Sequence, residues 1–308
     1  MNGKSNYHIP VLKDRVLEFL ALAPEGTIID ATLGDGGHSK ALLESRDEIS
    51  ILGIDKDPQA IERSSKRLAL YKDRIKFVQG DFSDLEAIAR DENETRVSGI
   101  LFDLGISSLQ IDKPERGFSF SNEAELDMRM SNTGISAKEF INSTDFETLT
   151  KILYEFGEVK HAKKIAAEII ASRDRDKMDT TWDLNQAIAR AIPYHKNPDF
   201  ARVFQAIRIH INGELERLRR GLTAALDLLI PDGVIVVISY HSLEDRIVKR
   251  YFFQESKGCI CPPELPQCRC GHTAQIRLIS KKPFRPSNVQ VMENSRSRSA
   301  KLRYALKL

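Results

Sequence analysis

The stretch Thr27–Ser39, TIIDATLGDGGHS, together with Ile51–Asp57, ILGIDKD, constrains the fold more than any other part of the chain. An apolar run, Thr27-Ile28-Ile29, closes on an acid, Asp30. A turn carrying Gly34, Gly36 and Gly37 follows, and a helix is expected from Ser39. A second apolar run closes on Asp55, about twenty residues after the glycines, the spacing at which an acid at the tip of a second strand meets a ribose. The pattern is that of a doubly wound α/β sheet holding an adenosine. Glycine admits backbone close to a ligand where a Cβ would collide. The carboxylate accepts hydrogen bonds from ribose hydroxyls.

The charge of the loop discriminates between adenosine cofactors. A dinucleotide fold uses G-x-G-x-x-G and seats a pyrophosphate on a helix N-terminus. Gly34 and Gly36 fit that motif, but its third position is Ser39, and the loop also carries Asp30 and Asp35. Acids repel a pyrophosphate and attract a cation. S-adenosylmethionine bears a sulfonium and an ammonium and no phosphate, so the pattern favours it. A glycine turn that merely joins a strand to a helix is the plain alternative, and the second acid weighs against it.

The strand–helix alternation continues. Pro58–Tyr71 has helical spacing, with proline suited to a first turn. Arg74–Phe82 reads as a third strand ending in Asp81, and Ser98–Gly105 as a fourth ending in Asp103. From roughly Lys113 to Asn212 no strand is expected, while Thr148–Phe156, Val159–Ser172, Trp182–Ile192 and Asp199–Ile211 carry apolar residues at helical spacing. The α/β pattern then resumes with a helix over Glu214–Leu229, a turn at Pro231-Asp232-Gly233, and a buried strand over Val234–Ser239. A helix over His241–Phe253 and strands over Ile276–Ser280 and Lys301–Leu306 complete it. Residues 1–112 and 213–308 are thus expected to form one cofactor-binding α/β domain, and 113–212 an inserted helical domain. An insertion leaving the fourth strand tip would stand beside the cofactor, because ligands in such sheets bind beyond the carboxyl ends of the strands.

Asp30, Asp55, Asp81 and Asp103 recur at successive strand tips, and Phe82 could pack on an adenine or belong to the core. Asp103 suits a reaction at an exocyclic base amine. The lone pair of a cytosine amino group is delocalised into its ring, so an acceptor for its N–H bonds would hold the nitrogen in line with a methyl group. Alignment of this kind lowers barriers by up to roughly 7–11 kcal/mol in model systems. Asp103 could equally bind the amine of the cofactor. In HSLEDR, Ser242 is expected to cap a helix with Asp245 closing a capping box, and His241 stands open at a strand tip.

Net charge is +2, but Arg277, Lys281, Lys282, Arg285, Arg296, Arg298, Lys301, Arg303 and Lys307 crowd the C-terminal end against Glu293 alone. Such an end suits a polyanion or a solvated terminus. No apolar run approaches the roughly 20 residues of a membrane span. The N-terminal stretch lacks the apolar region of a signal peptide. A cytosolic protein is the expectation. All four cysteines, Cys259, Cys261, Cys268 and Cys270, lie in GCICPPELPQCRCGH. Two C-x-C pairs could form a zinc knuckle, with His272 able to replace one thiolate, although structural sites more often use C-x₂₋₄-C. A proline-braced loop of free thiols is the alternative, and the pattern assigns no metal.

Six motifs in order, IDATLGDGGHS, LFDLGISSLQID, RGFSF with LDMRM, FQAIRIHINGEL, SYHSLEDRIVKRYF and SRSRSAKLRYA, resemble the MraW (RsmH) family of small-subunit ribosomal RNA methyltransferases, from His8 to Arg303. The resemblance implies a class I S-adenosylmethionine-dependent methyltransferase fold, Rossmann-like and mostly parallel, with an inserted all-helical domain. It implies methyl transfer to N4 of a cytidine in the decoding region of 16S ribosomal RNA. It places the cofactor on Gly36, Gly37, His38, Asp55, Phe82, Asp103 and Gln110. Asp103 is the candidate catalytic group, and His241, Arg298 and Lys301 are candidate substrate contacts. Arg202, Arg208, Arg217, Arg219 and Arg220 are further candidates for phosphate contact, and Phe118 and Phe120 for base stacking, with packing inside the inserted domain as the favoured alternative for both rings. Where the family reads Asn-Pro-Arg before the RSAKLR run, Ser295 stands in place of the proline. A nicotinamide oxidoreductase and a non-catalytic RNA-binding factor are the competing readings.

Overall fold

The computed structural model describes residues 9–105, 114–131, 133–194, 196–262, 264–265 and 267–308. The chain divides into two compact units, 1–105 with 215–308, and 106–214.

The first unit is built on a seven-stranded sheet. Its strands are β1 (Gly26–Asp30), β2 (Ile49–Asp55), β3 (Ile75–Gln79), β4 (Val97–Asp103), β5 (Leu229–Ser239), β6 (Ile276–Leu278) and β7 (Lys301–Lys307). Their order is β3-β2-β1-β4-β5-β7-β6. The first five are parallel, and β7 runs antiparallel to both β5 and β6. This is a mostly parallel, Rossmann-like sheet, as the strand–helix rhythm of the sequence predicts. Neighbouring residues of one strand, such as Ile28 and Ile29, are both buried because helices cover both faces. Around this sheet lie α1 (Lys13–Leu20), α2 (Gly37–Ser45), α3 (Pro58–Arg67) and α4 (Leu85–Asp91).

The strand tips depart from the sequence reading in ways that matter for the site. β3 stops at Gln79, so Asp81 does not end a strand. It caps the short turn Phe82–Asp84 by accepting from the Ser83 N–H at 2.9 Å. β5 starts at Leu229 rather than Val234. Its register against β4 jumps from Val97↔Leu229 to Gly99↔Val234, so Pro231-Asp232-Gly233 is an irregularity within the strand rather than a turn before it. α2 begins at Gly37, two residues earlier than expected.

The second unit contains α5 (Ala137–Ser143), α6 (Phe146–Gly157), α7 (Ala162–Arg173), α8 (Thr181–Ala191) and α9 (Asn197–Asn212). They enclose a core of their own around Phe140, Leu149, Leu153, Ile165, Ile188 and Ile207. Ser136 with Glu139 and Thr180 with Asp183 form reciprocal capping boxes at α5 and α8. The LDMRM motif is a scaffold here. Asn212 donates to Met128 O at 2.9 Å and accepts from Met130 N at 2.8 Å, so the end of α9 fixes that segment. Phe118 is buried, and Phe120 packs against Phe200 and Phe204 with centroids 6.1 Å away. The packing alternative therefore accounts for both rings.

Back in the first unit, α10 (Glu214–Leu228) and α11 (Ser242–Glu255) complete the cover of the sheet, and α12 (Asn288–Glu293) precedes β7. One face buries Ile29, Ile54, Phe102, Leu222 and Phe252 together, and the other Phe19, Ile28, Leu42, Leu101 and Val236. Among the described residues, no helix is long and apolar enough to cross a membrane.

Candidate active site

Acids at the carboxyl ends of β1, β2 and β4 converge on the turn between β1 and α2. Asp30 is buried, and its Oδ2 accepts from the Ser39 hydroxyl at 2.6 Å. Burial pushes its carboxyl up, with the Ser39 bond partly offsetting. Asp30 therefore fastens the start of α2 to β1 instead of presenting charge to a ligand. Asp35 is engaged as well. Arg63 Nε lies 3.1 Å from its Oδ1, and Arg67 donates to its carbonyl at 3.0 Å. Asp30 and Asp35 are thus engaged within the protein, unlike the free loop acids that the sequence suggests.

Asp55 braces the glycine turn from the neighbouring strand. Its Oδ2 accepts the Gly34 N–H at 2.8 Å and its Oδ1 the Asp57 N–H at 2.9 Å. Burial outweighs these two bonds and pushes the carboxyl up to about 6. Each oxygen keeps a second lone pair, so the carboxylate can still accept from a ribose diol.

Asp103 is oriented from two sides. The Tyr240 hydroxyl donates to its Oδ1 at 2.8 Å, and the Asp103 N–H donates to Thr32 Oγ1 at 2.6 Å. Burial, and then the neighbouring Asp103 charge, raise the Tyr240 phenol well above its ordinary value, so it remains a donor. The second oxygen, Oδ2, lies 3.5 Å from His38 Nε2. That is too long for a good hydrogen bond. Both nitrogens of the buried His38 ring have no hydrogen-bond partner among the described residues. Thr32 and Tyr240 are functional candidates that the motifs do not single out. Only their positions could have flagged them: Thr32 stands two residues after Asp30, and Tyr240 directly follows the last residue of β5.

The glycines have separate jobs. Gly36 has φ +69°, and an added Cβ would sit 2.8 Å from Leu68 Cδ1; at Gly37 it would sit 2.6 Å from Pro10 Cγ. These two are small because protein packs against them. At Gly34, φ +51°, an added Cβ would meet only Thr32 O among the described residues, at 3.9 Å. Phe82 is half-buried, edge-on to Phe102 at 5.6 Å and against Gly221. Gln110 lies outside the described residues.

The helix after β5 is capped differently from the sequence reading. His241, not Ser242, is the N-cap, and its Nδ1 accepts from the Glu244 N–H at 3.4 Å. The Glu244 carboxylate accepts from the N–H groups of Tyr240 at 2.9 Å and His241 at 3.3 Å. Asp245 instead accepts from Arg303 at 2.7 Å and Lys301 at 3.1 Å. Burial alone would raise the Asp245 carboxyl, but the two cations hold it below its usual value. His241 and Lys301 are thus tied into the scaffold, whereas Arg298 is exposed on the turn Ser295–Ser299. The Asn294 side chain caps that turn, so it forms with serine in place of proline. Of the basic terminal residues, Arg303 is buried, while Arg277, Lys281, Lys282, Arg285 and Arg296 are exposed or partly so. Arg208 is clamped by Glu214 at 2.8 and 2.9 Å, Arg217 faces Asp81 at 3.2 Å, and Arg220 meets Asp84 at 2.8 Å. Arg219 pairs with Glu216 at 3.4 Å, and Arg202 is exposed.

A sequence model of the MraW methylase family matches residues 5–308. The chain belongs to that family. It is 43% identical over 305 residues to a Ribosomal RNA small subunit methyltransferase H of Caldicellulosiruptor bescii, covering 98% of this chain and 99% of that protein. It is 41% identical over 314 residues to the protein of the same name from Brevibacillus brevis, covering both in full. Among solved structures, a putative methyltransferase from Streptococcus mutans in complex with SAH aligns with 98% of this chain and all of that chain, at 11% identity and a TM-score of 0.45. As a methylase of this family, the chain uses S-adenosylmethionine. The donor set fits that cofactor: Asp55 and Asp103 offer acceptors at strand tips, and Asp103 Oδ2 has no strong partner among the described residues.

Proposed function

We propose that this protein transfers a methyl group to N4 of a cytidine in the decoding region of 16S ribosomal RNA. The observation that carries the reading is the partly exposed Asp103 at the tip of β4, with Oδ1 held by Tyr240 and Oδ2 left to accept an N–H. The names of relatives 43% and 41% identical along the whole chain support the substrate class.

S-adenosylmethionine supplies a methyl group activated by a sulfonium and leaves as a neutral thioether. Asp55 would hold the ribose, with Phe82 towards the adenine and Gly36, Gly37 and His38 lining the rest of the pocket. Asp103 Oδ2 accepts an N–H of the cytosine amino group and turns the nitrogen towards the methyl carbon. Asp103 Oδ2 would also receive the proton that the amino nitrogen sheds on methylation. Tyr240 keeps the carboxylate from rotating during this step.

The exposed faces around Lys281, Lys282, Arg285, Arg296 and Arg298 supply phosphate contacts, which give salt-dependent affinity. The helical unit is assigned to RNA recognition, supported by exposed Arg202, Tyr154, Trp182 and Tyr194. Aromatic faces of this kind stack on unpaired bases. The test is a single-turnover assay with tritiated S-adenosylmethionine and unmethylated small subunits, followed by nucleoside mass spectrometry. Label in one N4-methylcytidine is expected. Label in another nucleoside, or no incorporation despite RNA binding, overturns the reading.

A further inference from the structure

Among its described residues, the segment between α11 and β6 has almost no apolar packing to hold it. Its apolar side chains Ile260 and Leu265 are both exposed. Its base is fastened where the Gln275 N–H donates to Glu255 O at 2.8 Å. Above that base, two C-x-C turns bring four sulfurs together. Cys259 Sγ lies 3.4 Å from Cys268 Sγ and 3.8 Å from Cys270 Sγ, and Cys268 Sγ lies 3.6 Å from Cys270 Sγ. All four Sγ atoms, that of Cys261 included, lie within 4.8 Å of one another.

A tetrahedron of thiolates with Zn–S bonds of about 2.3 Å has S···S edges of about 3.8 Å. The cluster has that size. The S–S bond of a disulfide is about 2.05 Å, far shorter than these separations. Two backbone N–H groups point at sulfur: Cys261 N at Cys259 Sγ and Arg269 N at Cys261 Sγ, each at 3.4 Å. Such bonds favour thiolates, which are the form that binds metal. His272 does not join the group. Its Nε2 is 3.3 Å from Gln254 O at the base of the loop.

We propose that Cys259, Cys261, Cys268 and Cys270 bind one zinc ion. Four thiolates leave no open position, which makes the site structural. A soft, four-sulfur donor set selects zinc or iron over hard cations, and the ion assigned here is zinc. The ion supplies the cohesion that the loop lacks in apolar contacts, and it fixes Lys257 and Arg269 in place beside the cluster.

The full chain, purified without added metal, is expected to carry one zinc per chain by elemental analysis. A mercurial thiol reagent releases it stoichiometrically. Cobalt exchanged into the site gives the sulfur-to-metal charge-transfer and visible bands of a tetrahedral thiolate complex. Chelation opens trypsin cleavage at Lys257 and Arg269, while the rest of the chain stays resistant. The double variant Cys259→Ser, Cys270→Ser loses the zinc and is cleaved there without chelation. Folded chain with no metal and four thiols reactive towards a disulfide reagent overturns the proposal. So does iron in place of zinc, or a double variant that keeps full zinc.

Discussion

Asp55 is the residue at which cofactor binding and chain stability should respond to pH with opposite signs. Its carboxyl is displaced from 3.8 to about 6, chiefly by burial. That corresponds to about 3 kcal/mol against ionising it in the ligand-free chain. A folded-state pKa above the unfolded value means that the folded chain takes up a proton as the pH falls. The ligand-free protein should therefore gain stability relative to Asp55→Asn between pH 7 and pH 4, by up to about 3 kcal/mol. The gain is complete below the unfolded value and disappears as pH rises through about 6. Ribose hydroxyls donate to the ionised carboxylate, so affinity should run the other way. Calorimetric titration with S-adenosylhomocysteine should show the dissociation constant rising about tenfold per pH unit below pH 6. The Asp55→Asn variant should bind weakly and with a flatter profile, because its amide does not titrate and turns an NH2 donor towards either Gly34 N or Asp57 N. A wild-type affinity that is constant from pH 8 to pH 5, or a variant with the same slope, would refute the ribose role.

Asp103→Ala should lower turnover by about 10²-fold or more while S-adenosylhomocysteine binding changes much less; equal losses in both would move Asp103 to the cofactor. Tyr240→Phe removes one bond to a charged oxygen, worth about 1.5–3 kcal/mol, and is expected to reduce kcat with KM for RNA unchanged. Asp245→Ala strands the buried Arg303 beside Lys301, so denaturant titration should show a loss of about 3–5 kcal/mol. The contribution of Asp245 is present above the unfolded carboxylate range and is lost as pH falls through its depressed value. Replacing Lys282, Arg285 and Arg298 by alanine should weaken RNA binding at low salt and flatten its dependence on log salt by about 0.7–0.9 for each phosphate no longer neutralised. An unchanged slope would remove that surface from the RNA interface.

The sequence by itself determined the α/β rhythm, the interruption by helices and the acids that close β1, β2 and β4. These follow from local rules: apolar runs form buried strands, glycines permit turns, and apolar residues three and four apart wind amphipathic helices. The ordered motifs also carried the family. The tertiary structure decided what each acid does. Asp30 and Asp35 look alike in the sequence as free charges in the loop, yet one is buried under Ser39 and the other is paired with Arg63, which arrives from α3. Likewise HSLEDR permits a box built on Ser242 and Asp245, but Lys301 and Arg303 from β7 draw Asp245 away, and His241 with Glu244 form the box instead. Tyr240 reaches Asp103 across 137 residues of sequence. A side chain's partners depend on which strands become neighbours, and that adjacency is fixed by packing the whole sheet rather than by any local stretch of chain.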